Sequence, residues 1–138
     1  MKLFLDTSAL IKRYVEERGT ETVNSLCAQA DEIILCAIAL PEMISALMRR
    51  LLEGRISKRQ YRDIKKAMLA DWACAMQVDI SHGLIAKTVE VLEQGRTRTL
   101  DALHVAAAAE SGADLFATAD KKHAQGASLQ ALKVEYIS

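Results

Sequence analysis

Four acidic residues of this sequence stand where carboxylates could meet around one divalent cation. Asp6 and Asp120 each follow a short apolar run, and Glu42 and Asp101 each open a helix-like stretch. Hard cations such as Mg²⁺ take oxygen ligands and keep several waters, so a few carboxylates from distant segments suit a centre that hydrolyses phosphodiesters. The residue types therefore predict a metal-dependent nuclease site, provided that the fold brings the four acids together.

Each acid also has a purely structural interpretation. Asp6 and Asp120 could cap helices or form turns, and Glu42 and Asp101 could favour helix N-termini by roughly 0.3–1 kcal/mol each. The capping interpretation must hold independently four times, whereas the metal interpretation predicts all four acids at one edge. Two carboxylates about 5 Å apart repel by roughly 3 kcal/mol at an effective dielectric near 20. We therefore expect raised carboxyl pKa values that a bound divalent ion would reverse.

Hydroxyl and imidazole side chains near these acids are candidate helpers. Ser8 and Thr118 are predicted to support the acids, although such residues more often bond to the local backbone. His104 falls on roughly the same helical face as the acid three residues before it, and we interpret it as a packed or supporting histidine. His82 and His123 show no partner in the sequence.

Length and charge limit the remaining possibilities. The 138 residues, 51% of them hydrophobic, predict a single domain over residues 1–138. Eighteen basic and eighteen acidic residues leave no net charge, so a nucleic acid would have to be bound locally. Arg96, Arg98 and Lys121 lie near the acids and are the candidate RNA phosphate contacts, although charged pairs are usually solvated surface.

The cysteines and the first residues bear on the compartment. Cys27, Cys36 and Cys74 are odd in number, lie in apolar runs and lack C-x-x-C spacing, which argues against a disulfide framework or a zinc knuckle. They predict buried thiols in a reducing cytoplasm. After Met1 and one lysine, only three apolar residues precede Asp6, so neither a signal peptide nor a membrane span is predicted there or elsewhere. We expect a cytoplasmic protein that does not bind a membrane.

Short apolar runs alternate with longer amphipathic stretches, which is the pattern of βαβ units. Five strands are predicted, over residues 3–5, 33–37, 77–80, 115–118 and 134–137. Helices are predicted over residues 9–17, around 23–30, and over 41–54, 57–75, 81–94 and 99–112, with a loop or short helix over 121–132. The fold class is thus α/β, a central parallel sheet with helices on both faces.

Local signals place the helix starts. Ser57 and Gln60 form a predicted capping box, and Ser81 and Thr99 are predicted N-caps. Pro41 suits a first helical turn, where its missing N–H costs nothing. Parallel sheets bind ligands outside the carboxyl ends of their strands, and crossover helices begin at that same edge. One topology can therefore gather all four acids.

Four segments carry a resemblance to a known family: Phe4-Leu5-Asp6-Thr7-Ser8-Ala9-Leu10, Pro41-Glu42-Met43, Thr99-Leu100-Asp101-Ala102-Leu103-His104-Val105-Ala106 and Thr118-Ala119-Asp120. From end to end the chain resembles the PIN-domain ribonucleases, and in particular the VapC-like toxins of toxin–antitoxin pairs. Pro41, where many relatives carry a small residue, is a departure that affects the local helix start and not the neighbouring acid.

The resemblance implies a three-layer fold with strand order 3-2-1-4-5, one or two Mg²⁺ or Mn²⁺ ions, and endonucleolytic hydrolysis of RNA. It maps the catalytic and metal-binding acids onto Asp6, Glu42, Asp101 and Asp120 and the supporting hydroxyls onto Ser8 and Thr118. It also implies an antitoxin protein as partner and a homodimer.

Three alternatives stay open at this point. The chain could be a housekeeping PIN nuclease without an antitoxin, because that difference lies in the target RNA and the neighbouring gene. It could be a binding module that keeps the fold without catalysis, although retention of all four acids counts against this. A phosphotransferase of the haloacid-dehalogenase type would need a second aspartate where this chain has Ser8.

Overall fold

Five parallel strands form the centre of the structure, a computed structural model that describes residues 1–95, 97–128 and 130–138. The strands are β1 (Lys2–Leu5), β2 (Glu32–Cys36), β3 (Met76–Val78), β4 (Leu115–Thr118) and β5 (Val134–Tyr136). Each pairs in parallel with its neighbours in the order β3-β2-β1-β4-β5. The predicted sheet is confirmed, and β1 lies at its centre.

Helices connect the strands, as parallel pairing requires. In the described ranges they are α1 (Thr7–Leu10), α2 (Thr20–Gln29), α3 (Ala39–Leu52), α4 (Lys58–Cys74), α5 (His82–Gln94), α6 (Thr99–Glu110) and α7 (Lys121–Ser128), with one 3-10 turn at Ile11–Arg13. Over the described residues, none of them combines the length and the apolar character that crossing a bilayer would demand.

Both faces of the sheet are covered, which completes the predicted three layers. Along β1, Leu3 and Leu5 join one buried cluster with Met43 of α3, while Phe4 joins the other cluster with Phe116 of β4. Successive side chains of a strand point to opposite faces, so one apolar run serves two cores. This explains why the strands read as continuous apolar runs rather than as an alternation.

The first helix is shorter than the sequence predicted. α1 ends at Leu10, continues only as the 3-10 turn and does not reach residue 17. Gly19 follows with a φ of +95°, and a Cβ there would lie 2.6 Å from Cγ2 of Ile137. Glycine is required by this close approach and by the left-handed backbone, and the chain then enters α2.

Two of the predicted caps are confirmed and one is wrong. Ser57 and Gln60 form the capping box of α4, and the Ser81 hydroxyl accepts a hydrogen bond from the backbone N–H of Leu84. Thr99, however, is the first helical residue of α6, whose N-cap is Arg98 without a side-chain hydrogen bond. The helix begins one residue earlier than the capping preference of threonine suggested.

The cysteines only partly follow the prediction of buried thiols. Cys27 and Cys36 are buried, but Cys74 is exposed. Cys74 ends α4, in which Met68 is the buried residue and most other side chains face solvent.

Candidate active site

All four predicted acids line one crevice at the carboxyl edge of the sheet. Asp6 directly follows β1, and Asp120 follows the paired strand β4. Glu42 and Asp101 lie in the first turns of α3 and α6. The crevice has a volume of about 570 Å³ and is lined by each of these side chains. The topology thus brings together residues that are far apart in the sequence.

Asp6 is buried, with 1% of its surface exposed, and both of its carboxylate oxygens are occupied. Oδ1 accepts hydrogen bonds from the Ser8 hydroxyl at 2.7 Å and from the backbone N–H of Ala9 at 3.0 Å. Oδ2 accepts from the Thr118 hydroxyl and from Nδ1 of His123, the latter at 2.6 Å. A carboxylate offers about four lone-pair sites, so the protein itself fills them all. Asp6 is at once the N-cap of α1 and the anchor of the crevice.

His123 is the main correction to the sequence-based interpretation, which found no partner for it. It is buried, and its two ring nitrogens contact Oδ2 of Asp6 at 2.6 Å and the carbonyl oxygen of Asp101 at 2.8 Å. A carboxylate and a carbonyl can only accept, so this network assigns a proton to each ring nitrogen. The ring is then an imidazolium paired with an ionised Asp6.

The electrostatics agree with this ion pair. Burial lowers the pKa of His123, but the hydrogen bond and charge of Asp6 outweigh it and hold that pKa above its ordinary value. Burial likewise raises the pKa of Asp6, yet the hydrogen bond and charge of His123 prevail and hold it below its ordinary value. The pair therefore favours the doubly charged state.

Glu42 forms a second pair with a histidine. Its Oε1 accepts from Nε2 of His104 at 2.5 Å and from the Thr7 hydroxyl at 2.7 Å. Burial raises the pKa of Glu42, but the hydrogen bond and charge of His104 and the hydrogen bond of Thr7 together outweigh it, and the pKa lies below its ordinary value. Nδ1 of His104 is buried and has no hydrogen-bond partner among the described residues, so this ring needs to donate only at Nε2. The interpretation of His104 as a packed, supporting residue agrees with this placement.

The negative charges of Asp101 and Asp120 are compensated less than those of Asp6 and Glu42. Burial raises the pKa of Asp101, and the negative charges of Asp120 and Asp6 add to that effect despite His123, so the pKa lies above its ordinary value. The Asp101 side chain is 39% exposed. Oδ1 of Asp120 accepts from the backbone N–H of His123 at 3.0 Å and so caps α7. The expected rise in carboxyl pKa therefore occurs at Asp101, while Asp6 and Glu42 shift downward because histidines face them.

Ser8 and Thr118 join the ends of the two central strands. The Ser8 hydroxyl donates to Asp6 and accepts from the backbone N–H of Ala119 at 2.9 Å. The Thr118 hydroxyl donates to Asp6 and accepts from the backbone N–H of Asp120 at 3.0 Å. Their oxygens lie 3.2 Å apart. Both hydroxyls thus hold Asp6 in place, while the backbone they bind leads directly to Asp120.

Basic side chains stand on two sides of the acids. Arg98 and Lys121 line an adjoining pocket together with Asp101 and Asp120. Arg96, the third predicted phosphate contact, lies outside the described residues. The crevice itself is also lined by Lys12, Arg49 and Arg50, which the sequence analysis did not assign to the site, and Lys12 and Arg50 form salt bridges with Glu17.

The donor set fits a hard divalent cation in chemical type, because it offers carboxylate oxygens. Burial first, and then the negative charges of Asp120 and Asp6, raise the pKa of Asp101, and a cation beside it would favour the ionised carboxylate. Within residues 1–95, 97–128 and 130–138, however, no three Asp, Glu, His or Cys side chains are already grouped closely enough to hold an ion. Two of the four acids are paired with histidines instead.

The sequence analysis missed Thr7 and His123 as members of the site. A signal for His123 did exist, because the buried positions of α7 are His123 and Ala127, which are four residues apart on one helical face. A histidine on the buried face of a helix needs a partner for its polar atoms. The spacing could therefore have marked His123 as paired, but it could not have named Asp6.

Fold and crevice together define an α/β protein of nuclease type. The PIN domain model matches residues 3–129, and the chain belongs to this family. PIN-domain proteins are nucleases that generally use divalent metal ions. No curated protein matches the sequence.

Several solved structures with the same fold are toxins or toxin–antitoxin complexes. The chain is similar to VapC20 of Mycobacterium tuberculosis, a sarcin-ricin loop cleaving toxin, with a TM-score of 0.69, 17% identity, and coverage of 89% of this chain and 93% of that one. It is similar to VapBC2 of Rickettsia felis bound to a promoter DNA fragment, with a TM-score of 0.71, 17% identity and full coverage of both chains. For FitAcB of Neisseria gonorrhoeae the TM-score is 0.71, at 12% identity and coverage of 96% and 95%.

Proposed function

We propose that this chain is a metal-dependent endoribonuclease that hydrolyses RNA phosphodiester bonds, and that it is the toxin of a toxin–antitoxin pair. The observation that carries the proposal is the convergence of Asp6, Glu42, Asp101 and Asp120 from four separate elements on one crevice. A purely capping role explains each acid singly but gives no reason for their common location. Membership of a nuclease family supplies the reaction class.

The cofactor is Mg²⁺ or Mn²⁺, with one or two ions per site. Glu42, Asp101 and Asp120 would supply the direct ligands, whereas Asp6, whose lone pairs are filled by protein donors, would contribute negative charge from behind them. When bound, a divalent ion supplies the positive charge that stabilises negative charge developing on the phosphate.

The proton transfer and the binding of RNA are assigned to individual residues of the chain. Asp101 is the proposed proton acceptor for the attacking water, because it is partly exposed and its raised pKa makes it a better base than an ordinary carboxylate. Asp6 cannot easily take that role, since it lacks a free lone pair. Arg98 and Lys121 line the adjoining pocket and would bind RNA phosphates, and we retain Arg96 in this group on sequence grounds. Single-stranded or loop RNA is the expected substrate, because its splayed backbone can enter a crevice that a duplex cannot.

The biological assignment rests on the likeness to toxins. We propose a cognate antitoxin as protein partner, a homodimeric state, a cytoplasmic location and one domain spanning residues 1–138. A housekeeping PIN nuclease with the same chemistry is the second candidate. A short reading frame for a DNA-binding protein beside this gene would favour the toxin, and neutralisation by its purified product would decide between the two.

The nuclease proposal is tested with the purified chain and two matched variants. We expect Mg²⁺ or Mn²⁺ to raise the melting temperature of the wild type and to support cleavage of a single-stranded RNA. Asp101→Asn should abolish cleavage while the fold is retained. Asp63→Asn is the control, because Asp63 is an exposed aspartate on α4. A wild-type protein that neither responds to these ions nor cleaves RNA would overturn the proposal, and full activity of the Asp101 variant would remove Asp101 from it.

A further inference from the structure

Among the residues that the structure describes, only His123 connects two parts of the acidic crevice through the two nitrogens of one ring. Nδ1 binds the carboxylate of Asp6 at the end of β1, and Nε2 binds the main-chain oxygen of Asp101 in the first turn of α6. The backbone N–H of His123 is itself bound by Asp120. One residue of α7 is therefore bonded to three of the four acidic positions.

The surroundings leave the ring little freedom. His123 is buried, with 2% of its side chain exposed, and it packs edge-on against Phe116 and His104 at centroid distances of 5.1 and 5.9 Å. Simple core packing would require only an apolar side chain here. Two hydrogen bonds of 2.6 and 2.8 Å, both to acceptors, are more than packing needs, and a buried imidazolium is tolerated only with such partners.

The four hydrogen-bond donors of Asp6 show what the contact with His123 adds. Three of its four donors, namely Ser8, Ala9 and Thr118, belong to α1, which directly follows β1, or to β4, which pairs with β1 in the sheet. His123 is the donor that ties Asp6 to α6. Without it, the carboxylate of Asp6 would lose its link to the helix that carries Asp101.

We propose that His123 is a positioning residue of the active site, which fixes Asp6 and the first turn of α6 relative to one another by bonding to both. This inference rests on the proposed nuclease function for its catalytic meaning. His123 would act through Asp6 and Asp101, because its two ring nitrogens are bonded to these two residues.

Three substitutions separate the two hydrogen bonds from packing. In His123→Asn, the amide nitrogen can occupy the place of Nδ1 and still donate to Asp6. His123→Gln can reach toward the carbonyl oxygen of Asp101, and His123→Leu can pack but not donate. His82→Leu is the matched control, because His82 is an exposed histidine at the start of α5.

The kinetic experiment measures kcat and KM for RNA at saturating Mg²⁺, together with melting curves for every variant. Outer-shell partners of metal sites typically contribute 10–100-fold, so we expect His123→Leu to lose about 10–100-fold in kcat, with KM for RNA changed less than about twofold. His123→Asn should recover most of that loss, and His82→Leu should equal the wild type. Wild-type kcat in a folded His123→Leu protein would overturn the inference, and so would equal losses in the Leu and Asn variants. Should the Leu variant fail to fold, the comparison of Asn with Gln carries the test, because only Asn keeps the bond to Asp6.

A spectroscopic measurement tests the contact without any activity. Long-range ¹H–¹⁵N correlation spectra of the imidazoles report which ring nitrogens carry protons, and the signals missing from His123→Asn identify His123. We expect a proton on Nε2, the nitrogen that faces the carbonyl oxygen of Asp101, and slow exchange of that proton with solvent. A His123 ring without a proton on Nε2 would overturn the bridge even if the enzyme is active. If this proton is present but no RNA is cleaved, the proposed function fails and His123 remains a structural bridge only.

Discussion

Replacing Thr118 by valine tests how far the protein depends on the donors around Asp6. Thr118 has no exposed surface, and its hydroxyl donates to Asp6 while it accepts from the backbone N–H of Asp120. Valine has almost the same shape, so the substitution removes the hydroxyl with little change in packing. It leaves a buried carboxylate with one donor fewer and an N–H without its acceptor.

The magnitude follows from the charge of the partner. A hydrogen bond to an ionised group contributes about 1.5–3 kcal/mol, and a neutral one about 0.5–1.5 kcal/mol. With the second lost contact, we expect Thr118→Val to lower the free energy of unfolding by about 2–4 kcal/mol. A domain of this size has about 5–15 kcal/mol of stability, so the variant should still fold.

Thr88→Val provides the matched control. Thr88 is also buried, at 4% exposure, but its hydroxyl donates only to the carbonyl oxygen of Leu84, at 2.7 Å. The same substitution at the same burial should therefore cost about 1 kcal/mol or less. Urea titrations without metal measure both, with the m-values compared to ensure that the unfolded states are alike. If the two variants differ by less than about 0.5 kcal/mol, the charged environment assigned to Asp6 is refuted.

Three further predictions address charge in the crevice. Asp101→Asn should raise metal-free stability by about 0.5 kcal/mol or less, because the raised pKa marks an unfavourable ionised state that solvent partly screens; a loss of stability in urea titrations would contradict this. The Asp6–His123 pair should contribute most to the free energy of unfolding at pH values between the ordinary carboxyl and histidine pKa values. The contribution of Asp6, whose pKa is lowered, is lost as the pH falls, and that of His123, whose pKa is raised, is lost as the pH rises. Melting curves at several pH values should show the high-pH decline in wild type and not in His123→Leu. Arg98→Ala should weaken RNA binding and reduce its salt slope by about 0.7–1, whereas Arg59→Ala on α4 should leave the slope unchanged.

The fold could be predicted because its signals are local or follow general rules of connection. Apolar runs and intervening helical stretches predicted five parallel strands, and the capping box at Ser57 was readable within four residues. The first helix was predicted too long, because the sequence has no glycine or proline between Leu10, where α1 ends, and Gly19. Gly19 packs against Ile137, which is 118 residues away, and no local pattern reports that approach.

The acids of the crevice could be predicted for the same reason, while their partners could not. Each acid sits at a strand end or helix start, and parallel topology assigns all such positions to one edge. The pairing of Glu42 with His104 spans 62 residues and that of Asp6 with His123 spans 117. Nothing in the sequence between them specifies which histidine meets which acid, because that choice is made by the packing of α6 and α7 against the sheet.

The two histidine–acid pairs explain how the protein tolerates four carboxylates in one crevice. From the sequence, four carboxylates in one place demand an external cation, and repulsion should raise the pKa values of some of them. In the structure, His123 and His104 compensate Asp6 and Glu42, whose pKa values fall, whereas burial and the negative charges of Asp120 and Asp6 raise the pKa of Asp101. Compensation is thus stronger for Asp6, the buried acid that anchors the site, than for Asp101, which is partly exposed. A divalent ion would therefore favour the ionised carboxylate of Asp101 more than those of Asp6 and Glu42. Asp101 is also the acid that is exposed enough to accept a proton from water.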